Sequence, residues 1–158
     1  MKVLVLGATG MMGHMAVRVL GQSHEVLGAC RSYWSADAPL AKFLPEKSWI
    51  GGVDCFRWDS VVAAMDKSRP DVVFNCIGVV KQLDEAHNPI PCLEINAMFP
   101  NRLAALCSLA GCKLIHLSTD CVFSGQKGMY TEDDNPDPVD TASIRDAISR
   151  IRNEAHPA

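Results

Sequence analysis

The stretch MKVLVLGATGMMGHMAVRVLGQSHEVLGACR, Met1 to Arg31, decides the fold. Val3 to Leu6 form an apolar run too short for a helix, and Gly7 ends it. Gly7, Gly10 and Gly13 follow at three-residue intervals with Thr9 inside the turn, and Met12, Met15, Ala16, Val19 and Leu20 then recur at helical spacing. A second apolar run, Glu25 to Ala29, comes after His24. Strand, glycine-rich turn, helix and strand in that order make the first half of a dinucleotide-binding unit. Gly7 permits the tight turn, Gly10 lets a pyrophosphate approach the backbone, and Gly13 lets the helix lie close to the strand. The free amides at the helix start, near Met11 and Met12, then hold the phosphates. The alternative is a glycine-rich turn in some other α/β protein.

The 158 residues suffice for one domain with a sizeable core, and 48% apolar and 21% charged residues describe an ordinary globular chain. A formal net charge of -3 points neither to nucleic acid nor to an anionic membrane surface. No apolar stretch has the length of a membrane span, and the N-terminus runs straight into a strand without the layout of a secretory signal. The seven cysteines are odd in number, lack a CxxC pair and sit mostly in apolar runs, such as Cys76 in a strand and Cys107 in a helix. Reduced buried thiols in a cytoplasmic protein are the expectation, with neither a disulfide framework nor a metal site.

Further along, the place about 20 residues past the glycines, where an acidic side chain usually meets a free ribose hydroxyl, reads AlaCysArgSer. Arg31 instead suits a 2′-phosphate, with a hydrogen bond from Ser32, which points to NADP, with NAD also possible; a plain surface arginine is the alternative. Tyr33 to Trp49 reads as a loop on the adenosine side, with one helical turn from Ala38 to Phe43. Ile50 to Phe56 reads as a third strand, and Asp59 or Ser60 as the cap of a helix carrying Val61, Val62 and Met65 and ending before Pro70. Asp54, at the end of that strand, is placed to accept from an adenine amino group or to be a solvated aspartate. Asp71 to Val80 is a central buried strand with Gly78 at its end. A helix follows from about Cys92 to Ala110, closed by Gly111 and loosened at Pro100. It carries Asn96, a buried amide that needs partners or else a capping or exposed one. Lys113 to Ser118 is a fifth strand that delivers Ser118, Thr119 and Asp120 at its tip, on the side where open parallel sheets bind ligands. His116 reads as a packed histidine, and Glu132, Asp133 and Asp134 as a solvated loop.

The segments GATGMMG, NCIGVVKQ, INAMFPNRLA and LSTDCVFSGQKGMYTEDDNPDPVD resemble the extended short-chain dehydrogenase/reductases, and within them the dTDP-dehydrorhamnose reductase-like nucleotide-sugar group. The resemblance runs from Met1 to about Asp140. It implies an α/β Rossmann fold, a doubly wound parallel sheet of five strands in the order 3-2-1-4-5. It also implies phosphate contacts at Gly7, Gly10, Met11 and Met12, and adenine contacts at Asp54 and Cys55. Ribose and nicotinamide contacts fall to Cys76, Ile77, Gly78 and Asn96. Thr119 matches the hydroxyl that holds the substrate carbonyl, with Asp120 beside it.

The family continues into a Tyr-x-x-x-Lys motif whose tyrosine gives the proton while hydride arrives from the nicotinamide. Here Asp140 is followed by TASIRDAISRIRNEAHPA, and of the two tyrosines Tyr33 is followed four residues later by Asp37 and Tyr130 by Asp134. Residues 1–140 are thus expected to form an NAD(P)-binding domain. Residues 141–158 are expected to form a divergent amphipathic tail helix with Ile144, Ile148, Ile151 and Ala155 on one side, from a truncated or frame-shifted gene. The function expected is an NADP-dependent reductase of a 4-keto nucleotide sugar, catalytically impaired, or else a non-catalytic NADP-binding module or sensor. An apolar flank left bare by a missing second lobe makes a homo-oligomer an additional expectation.

Overall fold

The structure is a computed structural model of the chain and describes residues 1–79, 89–117 and 122–137. The chain folds as two compact units, Met1–Ile77 with Arg102–Leu117, and Gly78–Asn101 with Ser118–Ala158.

The first unit holds a parallel sheet of five strands: β1 (Lys2–Leu6), β2 (Glu25–Ala29), β3 (Trp49–Ile50), β4 (Val72–Asn75) and β5 (Lys113–His116). Their order is β3-β2-β1-β4-β5, as the family resemblance implies. Val3 pairs with Val26 on one side and with Val72 on the other, and Val72 pairs in turn with Lys113. Leu4, Val5, Leu6 and Val73 are fully buried, as expected of inner strands covered on both faces. Along β5 exposed and half-buried residues alternate, and Ile115 is 47% exposed.

Helices α1 (Met11–Leu20) and α2 (Trp58–Ser68) lie in this unit, together with residues 102–110 of a long helix. The buried face of α1 differs from the expected one: it runs through Gly13, Ala16, Val17 and Leu20, while Met12, Met15 and Val19 are exposed. The reason is the glycine itself. A Cβ on Gly13 would stand 2.1 Å from the Gly7 carbonyl oxygen, so Gly13 marks the line of closest approach and the buried stripe is centred on it.

The third strand is also shorter than expected, ending at Ile50 rather than Phe56. The chain turns at Gly51 and Gly52, the latter with φ +76, and Gly52 N–H donates to Arg31 O instead of extending the ladder. Neither Asp59 nor Ser60 caps α2. Arg57 occupies the cap position without a side-chain bond, and Ser60 Oγ bonds back to Arg57 O at 2.7 Å. The stretch between β2 and β3 forms two short 3-10 turns, Pro39–Lys42 and Glu46–Ser48, and it buries Leu40 and Leu44 in the same cluster as Val5, Val17 and Trp49.

The long helix comprises α3 (Pro89–Leu93), a π turn (Glu94–Met98) and α4 (Phe99–Ala110). Phe99 N–H donates to Glu94 O, five residues back. Pro100 has no N–H to offer and its ring would strike the carbonyl four residues earlier, that of Asn96, so the wider turn absorbs the conflict. Asn101 Nδ2 then bonds to Ala97 O at 2.7 Å. Gly111, at φ +70, closes α4 with Cys112 N–H donating to Cys107 O at 3.0 Å, the six-to-one bond of a Schellman cap. Among the described residues no helix is long and apolar enough to cross a membrane.

Candidate functional site

Because the strands are parallel, their carboxyl ends share one edge of the sheet. The glycine turn leaves β1. Gly7 and Ala8 N–H both donate to Ala29 O, at 3.1 and 3.3 Å, which ties the turn to the end of β2. Gly10 N–H donates to Gly7 O at 3.0 Å. Gly7, at φ +74, lies against the exit of β4: a Cβ there would meet Ile77 Cγ1 at 3.1 Å and the Cys76 backbone at 3.2 Å. Gly10 differs, since a Cβ on it would meet only Gly7 O, at 3.3 Å, and otherwise open space.

α1 starts at this open position. Gly10 is its cap and offers no side chain, no acidic residue stands in the first turn, and the N–H groups of Met11, Met12 and Gly13 have no acceptor among the described residues. Free amides at the positive end of a helix dipole attract anions.

Thr9 faces the other way. It lies beside Cys30, whose thiol is pushed up to about 11 by burial, an effect that the Thr9 N–H and hydroxyl partly oppose. Cys30 therefore stays a neutral thiol that fastens the glycine turn to the exit of β2. No sequence signal marks this contact, because a cysteine after a strand reads simply as core.

Arg31, next in the chain, is exposed. Its guanidinium charge acts on Cys55, whose thiol is raised, first by burial and then by the charge of Asp54. Arg31, Asp54 and Cys55 are thereby brought together at the ends of β2 and β3. Asp54 is half-buried in the turn before α2, where Oδ1 accepts from Phe56 N at 3.0 Å and its own N–H donates to Ser60 Oγ at 2.9 Å. Its second carboxylate oxygen faces no described donor.

At the exit of β4, Cys76 is also held neutral, pushed up to about 11 by burial. Asn75, fully buried, organises this exit. Its Oδ1 accepts from Ile77 N at 3.1 Å, so its Nδ2 faces His116 Nδ1 on β5 at 3.1 Å and makes that ring nitrogen an acceptor. Burial lowers the pKa of His116, in agreement with a neutral ring. Asn75 is a positioning residue that sequence reasoning passed over, although an Asn inside an apolar strand is its signal.

Gly78 and Asn96 belong to the second unit. There Asn96, buried, grips the backbone of Val79 with both ends of its amide: Oδ1 accepts from Val79 N at 2.9 Å and Nδ2 donates to Val79 O at 2.8 Å. Gly78 lies beside it, a Cβ there coming 3.7 Å from Asn96 Oδ1.

The loop 122–137 of the same unit closes on itself. Asp137 accepts from Ser124 Oγ at 2.5 Å and from Tyr130 OH at 3.2 Å, and the rings of Phe123 and Tyr130 stack at 4.5 Å. Lys127 Nζ pairs with Asp134, which the lysine holds below the usual carboxylate range. The Tyr130 hydroxyl is thus within reach of a carboxylate, and Lys127 Nζ, paired with Asp134, stands 5.7 Å from the centre of the Tyr130 ring. Ser118, Thr119, Asp120, the span from Pro138 to Asp140 and the tail 141–158 lie outside the described residues.

Residues 1–143 match the family model described as the RmlD substrate binding domain. The chain is 34% identical over 142 residues to the probable low-salt glycan biosynthesis reductase of Haloferax volcanii, with 88% of this chain and 44% of that protein covered. It is 31% identical over 134 residues to the dTDP-4-dehydrorhamnose reductase of Streptomyces griseus, covering 84% of this chain and 38% of that one. A crystal structure of dTDP-4-dehydrorhamnose reductase from Bacillus anthracis, in complex with NADP, shares the fold at a TM-score of 0.70 and 19% identity, over 96% of this chain and 48% of that one. The chain thus spans less than half the length of these proteins. With the five-stranded order and the glycine turn in place, the match over residues 1–143 identifies the chain as a member of the RmlD substrate binding domain family, among the dTDP-4-dehydrorhamnose reductase-like proteins of the extended short-chain type.

Proposed function

We propose that the chain binds NADP(H), and NAD(H) less tightly, and supplies the cofactor-binding part of a reductase acting on a 4-keto nucleotide sugar. The observation that carries the reading is the start of α1, where three amides have no acceptor among the described residues and a Cβ on Gly10 would meet only Gly7 O. A pyrophosphate fits this cradle through Gly10, Met11, Met12 and Gly13, with Gly7 and Thr9 shaping it. Arg31 suits the 2′-phosphate, and the second oxygen of Asp54, with the backbone of Cys55, suits the adenine edge. Cys76, Ile77 and Gly78 would flank the nicotinamide, with Gly78 held by Asn96 through Val79.

When bound, the cofactor supplies hydride. In this proposal the hydroxyl of Thr119 polarises the sugar carbonyl, with Ser118 and Asp120 next to it. The 158 residues contain no Tyr-x-x-x-Lys, and general acid catalysis contributes about 10²–10⁴-fold. Taken alone, the 158-residue chain is therefore expected to be a poor reductase. A second reading is an NADP-binding module without turnover.

The test follows NADPH absorbance with 4-keto nucleotide sugars while cofactor binding is measured on the same preparation. Binding with little turnover supports the proposal for this chain. Turnover at ordinary enzyme rates, lost on Tyr130→Phe, would contradict it and make Tyr130 the proton donor.

A further inference from the structure

Five arginines lie among the described residues, and three of them have a side-chain partner. The guanidinium of Arg18 stands 4.7 Å from the centre of the Phe43 ring, that of Arg102 stands 4.3 Å from the Trp58 ring, and Arg69 pairs with Asp66 at 2.5 Å. Arg31 and Arg57 have neither a ring nor a carboxylate partner among the described residues. Both are tied to one residue, Gly52. The carbonyl of Arg31 accepts from Gly52 N at 3.2 Å, and Arg57 Nη2 donates to Gly52 O at 2.7 Å.

The turn that joins them is compressed under an aromatic ring. A Cβ on Gly51 would stand 2.6 Å from Tyr33 Cδ1, and one on Gly52 would stand 2.9 Å from the Tyr33 hydroxyl oxygen. Tyr33 is itself 77% exposed. The two glycines thus let the chain after β3 fold in tightly beneath Tyr33, which brings the start of α2 to the exit of β2. The one carboxylate on this turn, Asp54, spends Oδ1 on Phe56 N and pairs with neither arginine.

Two exposed guanidinium groups that flank one glycine and pair with no described carboxylate suit a dianionic ligand. The fixed fork of arginine matches a phosphate better than it matches a ribose hydroxyl. The bond to Gly52 O uses one of the five N–H donors of Arg57 and holds the others in place.

We infer that Arg57 is a second specificity-determining cation, acting with Arg31 on the 2′-phosphate of the adenosine half of NADP. The inference rests on the cofactor reading above and adds to it a residue that reaches the site from the cap of α2. The competing role for Arg57 is a brace that only shapes the turn through Gly52. A brace serves any adenine nucleotide equally, whereas a phosphate ligand serves only those with the 2′ group.

The test is calorimetry with two adenosine fragments, 2′,5′-ADP and ADP, on the wild-type chain, Arg57→Gln and Arg31→Gln. The quantity read is the ratio of the two affinities on one preparation. A partly unfolded variant lowers both affinities alike and leaves that ratio unmoved. Arg57→Gln, which keeps a donor for Gly52 O, is expected to weaken 2′,5′-ADP about tenfold and to leave ADP nearly unchanged. Arg31→Gln is expected to act in the same direction. A ratio that stays at the wild-type value in Arg57→Gln overturns the inference and leaves the cofactor reading standing. Wild-type protein that binds neither fragment overturns both.

Discussion

At the scale of single residues, two glycines three positions apart behave as opposites. Gly13 is closed: its missing side chain is where the helix and the turn touch, so Gly13→Ala drives a methyl into the Gly7 carbonyl and Ala8 Cα. We expect a loss of about 3 kcal/mol, with α1 displaced. Gly10 is open and has φ -71, ordinary for any residue, so Gly10→Ala is expected to change stability by less than about 1 kcal/mol. Urea unfolding of the two variants checks the contrast, and equal effects would refute it. His116 carries a pH dependence. Burial and the Asn75 amide keep its ring neutral in the fold, below the usual value of 6.5, while the unfolded chain takes up the proton. Its contribution is therefore complete above about pH 6.5 and is lost as the pH falls through that value. Asp134 and Asp137, both lowered by their hydrogen bonds, add losses only in the more acidic carboxylate range, below 3.8. Unfolding midpoints measured from pH 7.5 to 5 should fall in the wild type and fall less in His116→Gln. Parallel curves would show that His116 is not the group responsible. Neither the neutral ring nor the Thr9–Cys30 contact was legible beforehand, because both depend on which strand ends become neighbours.

At the scale of elements, the sequence was most readable where its pattern matched a single period. The first strand, the glycine turn, the first helix and the strand after it all stand where periodicity puts them. Errors arose where a tertiary contact outweighed the pattern. The stripe of α1 is set by the close approach at Gly13 and not by the longest apolar side chains, so three of the expected core residues face out. The third strand stops early because Gly51 and Gly52 fold beneath Tyr33, a contact between residues far apart in the pattern. Pro100 was legible as a disturbance, but its outcome, a π turn closed by Phe99 N–H on Glu94 O, depends on how the helix relieves the clash. Within that turn Asn96 holds both polar groups of Val79. Asn96→Ala leaves these two backbone groups without their partner and is expected to cost about 2–3 kcal/mol. A loss under about 0.5 kcal/mol in denaturant unfolding would mean that the grip contributes nothing.

For the whole molecule, the parallel order β3-β2-β1-β4-β5 explains why residues scattered from Gly7 to Ile77 serve one edge. The order followed from the family resemblance, and the gathering of strand ends follows from the order. What a resemblance could not provide is the local chemistry: the two arginines bonded to Gly52, the amide that sets the exit of β4, and the loop 122–137 whose tyrosine is bonded to Asp137. We propose that this edge holds a dinucleotide by its pyrophosphate at Gly10 and by its 2′-phosphate at Arg31. The most direct measurement is isothermal titration of the wild-type chain and of folded Gly10→Val with NADP and NAD. The account predicts saturable binding of one cofactor per chain in the wild type, with NADP tighter than NAD by about 1–3 kcal/mol, and loss of binding in Gly10→Val. Equal affinities for the two cofactors, or undiminished binding in Gly10→Val, would contradict it.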